Sequence, residues 1–297
     1  MKRKPSPATS IAGAYIELMK PSITAMIIIS TALGYYLGSH GHGVFEKNTL
    51  ILTLLGSFLV SGGAGALNHF AEQKTDLMMD RTASRPIQLG LVSSKNARAY
   101  GVLLTIVGTL VLFLFVNKLT AILAILTTFL YLFVYTPLKR ITWLNTSIGA
   151  IPGSLPPVGG WVAASGKLDP EAWVLFAILF LWQHPHFFAI AFICKDDYKK
   201  AKLKMLPAIE TDGKRTNRQI IWHALLLIPV SLMPFSMGLL GEIYFWGAFL
   251  LGVFYLLSSL PLLKNYSFEN AKLLLKASVF YLPTLLTIII VDSLVLQ

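Results

Sequence analysis

The hydrophobic residues of this chain fall into long apolar stretches that are separated by clusters of charge. About nine of these stretches approach the roughly 20 residues that an α-helix needs to cross a bilayer. They cover approximately residues 22–38, 47–67, 99–116, 119–136, 144–164, 171–193, 219–239, 243–263 and 273–295. The pattern therefore predicts an all-α integral membrane protein, with about nine transmembrane helices in a single domain over residues 1–297.

The composition agrees with a membrane location. Hydrophobic residues make up 55% of the chain, charged residues only 13%, and the mean hydropathy is +0.66. A soluble domain carries about 25% charged residues, so an ordinary soluble, disordered or fibrous protein is excluded. Cys194 is the only cysteine, which excludes an internal disulfide and a cysteine-based zinc or iron–sulfur site.

The net charge of +11 would suit a nucleic-acid-binding protein, but the positions of the charges indicate a bilayer instead. Of the 25 Lys and Arg residues, all except Lys47, Lys118 and Lys167 fall on one face of the nine-span topology, the face of the N-terminus. By the positive-inside rule the N-terminus is cytoplasmic and the C-terminus lies outside. We therefore expect a lipid bilayer around the chain and no nucleic-acid partner.

The first 21 residues are expected to form a cytoplasmic and interfacial segment. The basic start with Lys2, Arg3 and Lys4 resembles neither a mitochondrial transit peptide nor a cleavable signal peptide, which favours a prokaryotic plasma membrane. Residues 11–20 are predicted to lie along the inner interface before Pro21 starts the first span.

A stripe of polar residues stands at the cytoplasmic end of the second span. Asn68, Glu72 and Asp76 recur every four residues, so a helix places them on one face. Two carboxylates and an amide oxygen at this spacing repel one another unless a cation lies among them, and oxygen ligands are what Mg²⁺ prefers. The alternative is a solvated helix end whose spacing arises by chance.

Two arginines, Arg81 and Arg85, follow the stripe closely. Carboxylates that hold Mg²⁺ beside guanidinium groups suit a diphosphate, because the metal neutralises some phosphate oxygens and arginine binds others. A surface cluster of salt bridges would have the same composition.

A second polar concentration lies at the end of the sixth span. Gln183, His184 and His186 stand within an apolar segment, where polar groups are costly and usually functional. The two histidines are two residues apart, so a regular helix cannot direct both toward one metal or one heme edge. Asp196 and Asp197 follow as a second acidic pair. The alternative for a single histidine is a structural hydrogen bond to a neighbouring helix.

A third polar set follows the fourth span and contains Tyr135, Lys139 and Arg140. A basic pair at the end of a span is usual on the inner face. However, all three sets fall on the same membrane face. Their shared location predicts a pocket, open to the cytoplasm, for a diphosphate whose hydrocarbon tail lies among the helices.

These motifs resemble the intramembrane prenyltransferases that make quinone precursors, and within them the branch that attaches a farnesyl group to heme. The acidic motif belongs to the whole superfamily, whereas the stretch from Trp182 to Phe187 is typical of the heme branch. The resemblance covers about residues 15–210, and the last three spans match in hydrophobicity alone. The matching positions are Lys20-Pro21, Asn68, Glu72, Asp76, Met79, Arg81, Thr82, Arg85, Tyr135 to Arg140, Thr142, Asn145, Gly149, Gly153, Pro156-Pro157, Gly160-Trp161, Trp182-Gln183, Pro185 to Phe187, Asp197-Tyr198 and Met205 to Pro207.

The resemblance implies transfer of the farnesyl group of farnesyl diphosphate to a vinyl group of heme b, with help from Mg²⁺. It implies that Asn68, Glu72 and Asp76 hold one metal ion and that Asp196 or Asp197 holds a second. Phosphate oxygens or heme propionates would be bound by the basic residues, and His186 would contact heme or transfer a proton. The implied substrate-binding residues are Arg81, Arg85, Tyr135, Lys139, Arg140 and Gln183. A downstream heme A synthase is an implied partner.

The resemblance also implies a central cavity that opens to the cytoplasmic face and is capped by helical pieces of the second-to-third and sixth-to-seventh loops. Gly62, Gly63 and Gly65 would let helices approach closely near the site, although ordinary packing explains them equally.

Four positions depart from the family pattern. Glu72 replaces the usual aspartate, Gln73 and Lys74 replace an Arg-Asp pair, and Lys202 stands at a position that is normally glycine. Lys74 in place of an acid leaves the number of metal ions open.

Two other functions are compatible with parts of the sequence. The acidic motifs alone permit a prenyltransferase that acts on an aromatic acid. A non-catalytic heme carrier or cation-coupled transporter is the other, but a transporter would show an inverted repeat and polar residues on both faces.

Overall fold

The computed structural model describes residues 10–43 and 45–295. Lys2, Arg3 and Lys4 lie outside the described residues. Within the described part of the chain the regular structure is entirely helical. The elements are α1 (Ile11–Leu18), α2 (Pro21–His42), α3 (Lys47–Asp76), α4 (Ser94–Phe115), α5 (Lys118–Phe129), a π-helical segment (Leu130–Tyr135), α6 (Thr136–Leu138), α7 (Asn145–Ser165), α8 (Pro170–Ile193), α9 (Lys195–Lys200), α10 (Leu206–Ile209), α11 (Lys214–Ser236), α12 (Glu242–Ser259), α13 (Pro261–Lys264) and α14 (Phe268–Val295).

The apolar stretches form long helices close to where the hydrophobic pattern places them. Eight helical segments of the described chain have the length and hydropathy to cross a membrane. The remaining predicted span is α7, a helix of 21 residues that is rich in Gly, Pro and Ser. The chain is therefore an all-α, multi-pass membrane protein, as predicted.

The chain divides into two compact units. Unit 1 comprises Met1–Leu168 and Asp196–Leu203, and unit 2 comprises Asp169–Lys195 and Lys204–Gln297. In unit 1, five helices contact one another in a closed ring of α2, α3, α4, α5 and α7. In unit 2, α8, α11, α12 and α14 form a ring of four. Whether both units act as one domain around a central cavity stays a prediction.

Glycines allow the helices of unit 1 to approach each other closely. A Cβ atom on Gly34 of α2 would lie 1.9 Å from the carbonyl oxygen of Pro157 in α7. Between α3 and α4, a Cβ on Gly63 would lie 2.7 Å from the carbonyl oxygen of Gly101. A Cβ on Gly65 would meet backbone atoms of Leu18 and Met19 at the end of α1, and a Cβ on Gly62 would meet the Met19 side chain. The three glycines of α3 therefore stand at close approaches to neighbouring segments, as predicted.

In unit 2, the buried carboxylate of a residue on α14 caps the N-terminus of a different helix, α12. Asp292, near the end of α14, is only 1% exposed. Its carboxylate accepts hydrogen bonds from the backbone N–H groups of Gly241, at 2.6 Å, and Tyr244, at 2.9 Å. Gly241 is the N-cap of α12 and Tyr244 is in its first turn. N–H groups at these positions have no partner within a helix, so Asp292 stabilises the N-terminus of α12.

The loops only partly match the expected helical caps. The sixth-to-seventh connection contains α9 and α10, as expected. Residues 77–93 instead form consecutive turns. Two features interrupt helical bonding there: Pro86 has no N–H, and the hydroxyl of Thr82 donates to the backbone oxygen of Asp76 at 2.8 Å. The prediction of a helical piece in this loop is therefore wrong.

The unusual Lys202 lies two residues after the last residue of α9, Lys200. Its φ angle is +55°, in the left-handed region. The N–H of Lys202 bonds to the oxygen of Lys199 at 3.0 Å, and the N–H of Leu203 bonds to that of Tyr198 at 2.9 Å. These two bonds define a Schellman motif, in which the left-handed position favours glycine. The geometry explains why this position is normally glycine.

We expect Lys202→Gly to raise the unfolding free energy by about 1 kcal/mol, because glycine adopts the left-handed conformation without steric cost. Thermal unfolding of the purified protein should show a higher midpoint. Lys199→Gly, inside α9, should lower the midpoint, since glycine costs about 1 kcal/mol within a helix. A Lys202→Gly midpoint at or below that of the unaltered protein would contradict the prediction.

Candidate active site

The predicted polar stripe occupies the last three turns of α3. Asn68 is 0% exposed and Asp76 is 1% exposed, and the Glu72 side chain retains 14% of its exposure. The hydrophobic pattern predicts that the second span ends near residue 67, but the helix continues to Asp76. The three side chains therefore share one helical face, as predicted, and Lys74 lies exposed.

Each residue of the stripe is bonded to a cation from a different part of unit 1. Lys20 donates to the amide oxygen of Asn68. Lys139 pairs with Glu72 at 2.8 Å, and Arg85 pairs with Asp76 at 2.6 Å. When Lys20 is charged, three cations face two carboxylates. This excess of positive charge is suited to binding an anion.

Lys20 is a site residue that the sequence analysis did not select. It is the N-cap of α2, with φ of +53°, and Pro21 follows at the first helical position. Its ammonium group lies 3.2 Å from the hydroxyl of Tyr131. Burial, with a further contribution from Arg85, lowers the pKa of Lys20 to about 7. The sequence feature that could have identified Lys20 is the Lys20-Pro21 pair, which falls on the same predicted membrane face as the other polar sets.

The π-helical segment places the third polar set beside α3. The hydroxyl of Thr136 donates to the oxygen of Tyr131 at 2.9 Å and accepts from the amide nitrogen of Asn68 at 3.1 Å. This contact fixes the orientation of the Asn68 amide. The Lys139 ammonium lies 4.6 Å from the centre of the Tyr135 ring. Segments of this kind often occur at functional sites.

The remaining members of that set also reach the stripe. Arg140 donates to the hydroxyl of Thr75, which neighbours Asp76 on α3. The Tyr135 ring packs where a Cβ on Gly149 would lie, 2.5 Å from a ring carbon, so glycine is required there. The structure therefore brings Tyr135, Lys139 and Arg140 to the acidic stripe, as the sequence predicts.

The donor set of the stripe fits Mg²⁺. The Oδ1 atom of Asp76 is buried and has no hydrogen-bond partner, which is costly for a carboxylate oxygen unless a ligand completes it. No three His, Cys, Asp or Glu side chains of the described chain form a ligand cluster. Mg²⁺ usually takes one or two carboxylates together with substrate phosphates, so two carboxylates and one amide suffice.

The second acidic pair lies beside the turns that follow α3, also within unit 1. The Asp197 carboxylate accepts from the backbone N–H of Asp80 at 3.3 Å and of Arg81 at 3.4 Å. The Asp80 side chain pairs with Lys200 at 2.7 Å, and both side chains are well exposed. Asp196 and Arg81 are exposed. A second metal at Asp196 or Asp197, and phosphate binding by Arg81, stay predictions.

The polar residues of the sixth span lie in unit 2. The Gln183 amide donates to the Leu179 oxygen at 3.1 Å. His184 is fully buried and stacks on His223 with ring centres 3.7 Å apart. His186 bonds instead to Ser278 at 2.7 Å. The two histidines therefore diverge, as predicted from their spacing.

The helix that carries His186, α8, ends at Ile193, so Asp196 and Asp197 do not continue it. The roles of Gln183 and His186 in one site with the acidic stripe stay predictions.

Comparison with known families gives a match over most of the chain. The model of the UbiA prenyltransferase family matches residues 27–282. The match includes parts of both units and extends through about half of α14. The resemblance therefore extends well beyond residue 210, where the motifs alone ended it.

Related sequences match along nearly their full lengths. The protoheme IX farnesyltransferase of Solibacter usitatus (strain Ellin6076) is 45% identical over 285 residues, which cover 94% of this chain and 98% of the relative. The protein of the same name from Koribacter versatilis (strain Ellin345) is 41% identical over 291 residues, covering 95% of this chain and 94% of the relative.

Solved structures share the fold at lower sequence identity. A digeranylgeranylglyceryl phosphate synthase structure matches with a TM-score of 0.80 and 20% identity, covering 95% of this chain and 98% of the other. A UbiA homolog from Archaeoglobus fulgidus bound to GPP and Mg²⁺ matches with a TM-score of 0.64 and 17% identity, covering 93% and 99%. These matches support the all-helical membrane fold.

Proposed function

Because the chain belongs to the UbiA prenyltransferase family, we propose that it transfers the farnesyl group of farnesyl diphosphate to a vinyl group of protoheme IX, forming heme O. Relatives that are 45% and 41% identical over nearly the whole chain are named protoheme IX farnesyltransferases. The observation that carries the proposal is the buried stripe of Asn68, Glu72 and Asp76 with a cation on each member.

The proposed reaction combines farnesyl diphosphate, heme b and one water molecule. The bond between C1 of the farnesyl group and its diphosphate oxygen breaks, and its electron pair leaves with the diphosphate. The π electrons of a heme vinyl group form the new carbon–carbon bond to C1. Water then adds to the resulting cation and loses a proton, which leaves a hydroxyethylfarnesyl side chain. The site must stabilise the departing diphosphate and keep water away until the carbon–carbon bond has formed.

We assign Asn68, Glu72 and Asp76 to hold Mg²⁺, through the orphaned Oδ1 of Asp76 and the amide oxygen that Thr136 orients. The bound metal would neutralise charge on the diphosphate as it leaves. Asp196 or Asp197 is the proposed ligand of a second ion. UbiA homologs with Mg²⁺ and a prenyl diphosphate bound support this assignment at the level of the family.

The cations of the stripe are the proposed diphosphate ligands. Lys20, Arg85 and Lys139 already stand within bonding distance of the stripe. Arg85 and Lys139 pair with the two carboxylates, which a metal ion would neutralise, and Lys20 bonds to the amide oxygen of Asn68. Exchanging its present oxygen partner for a phosphate oxygen keeps each cation paired. Arg81 and Arg140 are proposed as further ligands of phosphate or of heme propionates.

Aromatic rings border the same cluster. The rings of Tyr131 and Tyr135 stack with centres 5.9 Å apart, on the side where Lys20 and Lys139 approach. A ring face attracts a cation, so these tyrosines suit the allylic cation that forms as diphosphate leaves. Gln183 and His186 are proposed to contact the heme.

The chain is a multi-pass membrane protein, and we propose the plasma membrane of a prokaryote as its location. The Lys and Arg distribution supports a cytoplasmic N-terminus and an external C-terminus. The stripe of α3 would then face the cytoplasm. A downstream heme A synthase, which would consume heme O, is a proposed partner.

The proposed function is tested by expressing the chain in a cell that makes heme b but lacks heme O. Hemes are extracted and separated by chromatography, with mass spectrometry of each peak. We expect a new peak at the mass of heme O, absent from cells with an empty vector. Well-folded protein without heme O would contradict the proposed acceptor. Labelled farnesyl diphosphate would then be offered with aromatic acids.

A further inference from the structure

His186 is held by residues from two helices of unit 2. Its Nδ1 atom lies 2.7 Å from the hydroxyl oxygen of Ser278 on α14. The imidazole stacks on Trp182, one turn earlier on α8, with ring centres 5.0 Å apart and an angle of 20° between the planes. The indole N–H of Trp182 donates to the backbone oxygen of Ser278 at 3.1 Å. The ring of His186 therefore has one fixed orientation.

The hydrogen bonds of Ser278 determine which nitrogen of His186 carries the proton. A serine hydroxyl has one proton to donate. Ser278 donates it to the backbone oxygen of Leu275 at 2.7 Å. With its proton on the Leu275 oxygen, Ser278 accepts from His186, and on this ground we assign the proton of the neutral imidazole to Nδ1. The Nε2 atom consequently carries a lone pair.

That lone pair is available to a ligand. Nε2 of His186 takes part in no hydrogen bond with the described residues, and the side chain is partly accessible. A neutral histidine whose other nitrogen donates to a fixed oxygen is the usual arrangement of a metal-binding imidazole. The rings of Trp182 and Phe187 lie beside His186, with ring centres 5.0 and 5.6 Å away, and aromatic neighbours also suit a planar macrocycle.

We propose that Nε2 of His186 is an axial ligand of the iron of the heme substrate, and that Ser278 is the positioning residue that sets its tautomer and orientation. This inference rests on the proposed function for the identity of the iron compound. It adds the atom that binds the iron and a residue on α14 that no motif of the sequence indicates. Trp182 and Tyr255 support the arrangement, because the Tyr255 hydroxyl donates to the backbone oxygen of Trp182 at 3.1 Å.

Two other histidines of unit 2, His184 and His223, compete with His186 for this role. His184 is completely buried, and one face of its ring is covered by His223 at 3.7 Å. Both of these rings also bond through Nδ1 to a backbone oxygen one turn earlier on their own helices, and His223 is partly exposed, so His223 is the alternative ligand that the test must distinguish from His186. The proposal therefore predicts that heme ligation follows His186 and is independent of His223.

The test is a titration of the purified full-length protein in detergent with ferric heme b, followed by visible absorption and electron paramagnetic resonance. We expect a nitrogen-ligated spectrum for the unaltered protein. His186→Ala should lose that spectrum and bind heme at least about tenfold more weakly, and added imidazole should restore the spectrum. Ser278→Ala should weaken binding about tenfold, whereas Ser278→Thr, which keeps the hydroxyl, should bind normally.

Two matched variants separate ligation from folding. Ser259 is buried and donates to the Leu256 oxygen at 2.6 Å, as Ser278 does to Leu275, but no histidine bonds to it. Ser259→Ala and His223→Ala should therefore leave the heme spectrum unchanged. Unaltered spectra and affinities in both His186→Ala and Ser278→Ala would overturn the proposal. A spectrum that instead follows His223 would overturn it as well.

Failure of this inference is distinguishable from failure of the proposed function. If the chain forms heme O in cells but the spectrum does not depend on His186, the ligation is wrong and the function stands. If no heme O forms but the spectrum depends on His186 and Ser278, the ligation stands and the proposed reaction is wrong.

Discussion

Replacement of Asp76 by Asn is expected to lower heme O formation by about 100-fold or more. The substitution keeps the size of the side chain but removes the negative charge that the proposed Mg²⁺ needs. Asp76 is almost completely buried, and its Oδ1 has no hydrogen-bond partner. It also faces the Arg85 guanidinium at 2.6 Å, and losing the charge leaves this cation unpaired. Loss of one preorganised electrostatic group in a catalytic site typically costs 100- to 1,000-fold in rate.

The measurement is heme O per amount of membrane-inserted protein, in the same heme b-producing cells. Asp80→Asn is the matched control, because Asp80 also pairs with a cation but is 72% exposed. An exposed ion pair contributes about 1 kcal/mol or less, so this variant should keep most of the activity. The heme spectrum of each purified variant reports folding independently of the reaction. A well-folded Asp76→Asn protein with more than half of the activity would contradict the metal assignment.

The membrane fold could be predicted from the sequence because the bilayer imposes a strong and local rule. A stretch of about 20 apolar residues that crosses a bilayer must pair its backbone N–H and C=O groups with each other, and an α-helix does so. The rule fails at helix ends. The second span was expected to stop near residue 67, but α3 continues to Asp76 because its polar face meets three cations inside unit 1.

The site was predictable where its members are close in sequence. Asn68, Glu72 and Asp76 are separated by single turns, so their shared face follows from helix geometry alone. Lys20 lies 48 residues before Asn68, and only the packing of α2 against α3 brings the two together. Ser278 is 92 residues after His186, so the tautomer of that histidine depends on contacts that no local pattern encodes.

Single positions that looked like departures have physical explanations once the backbone is known. Lys202 occupies a left-handed helix end, so the usual glycine reflects backbone conformation there. Asp292 would look like a misplaced charge in a span, but it caps the first turn of α12. In both cases the relevant property is a backbone angle or a distant N–H group, and hydropathy reports neither.

Substitution of Gly160 by Ala is expected to lower the stability strongly. A Cβ atom at this position of α7 would lie 2.0 Å from the carbonyl oxygen of Thr31 and 2.7 Å from the backbone nitrogen of Tyr35, both on α2. These are backbone atoms of a neighbouring helix, so no side chain can rotate away and the two helices must separate. Overpacking of this kind costs about 3 kcal/mol, at the upper end of measured values.

The neighbouring Gly159 supplies the matched control for this substitution. A Cβ atom on Gly159 would have no atom within 4 Å, and the residue lies in the same helix. Gly159→Ala should therefore leave the stability unchanged or raise it by about 0.5–1 kcal/mol, since alanine favours the helix. Thermal unfolding of both variants in the same detergent should move the midpoints in opposite directions or move only that of Gly160→Ala downward. Equal midpoints for the two variants would mean that α2 and α7 are farther apart in the membrane than the contact of Gly160 with Thr31 requires.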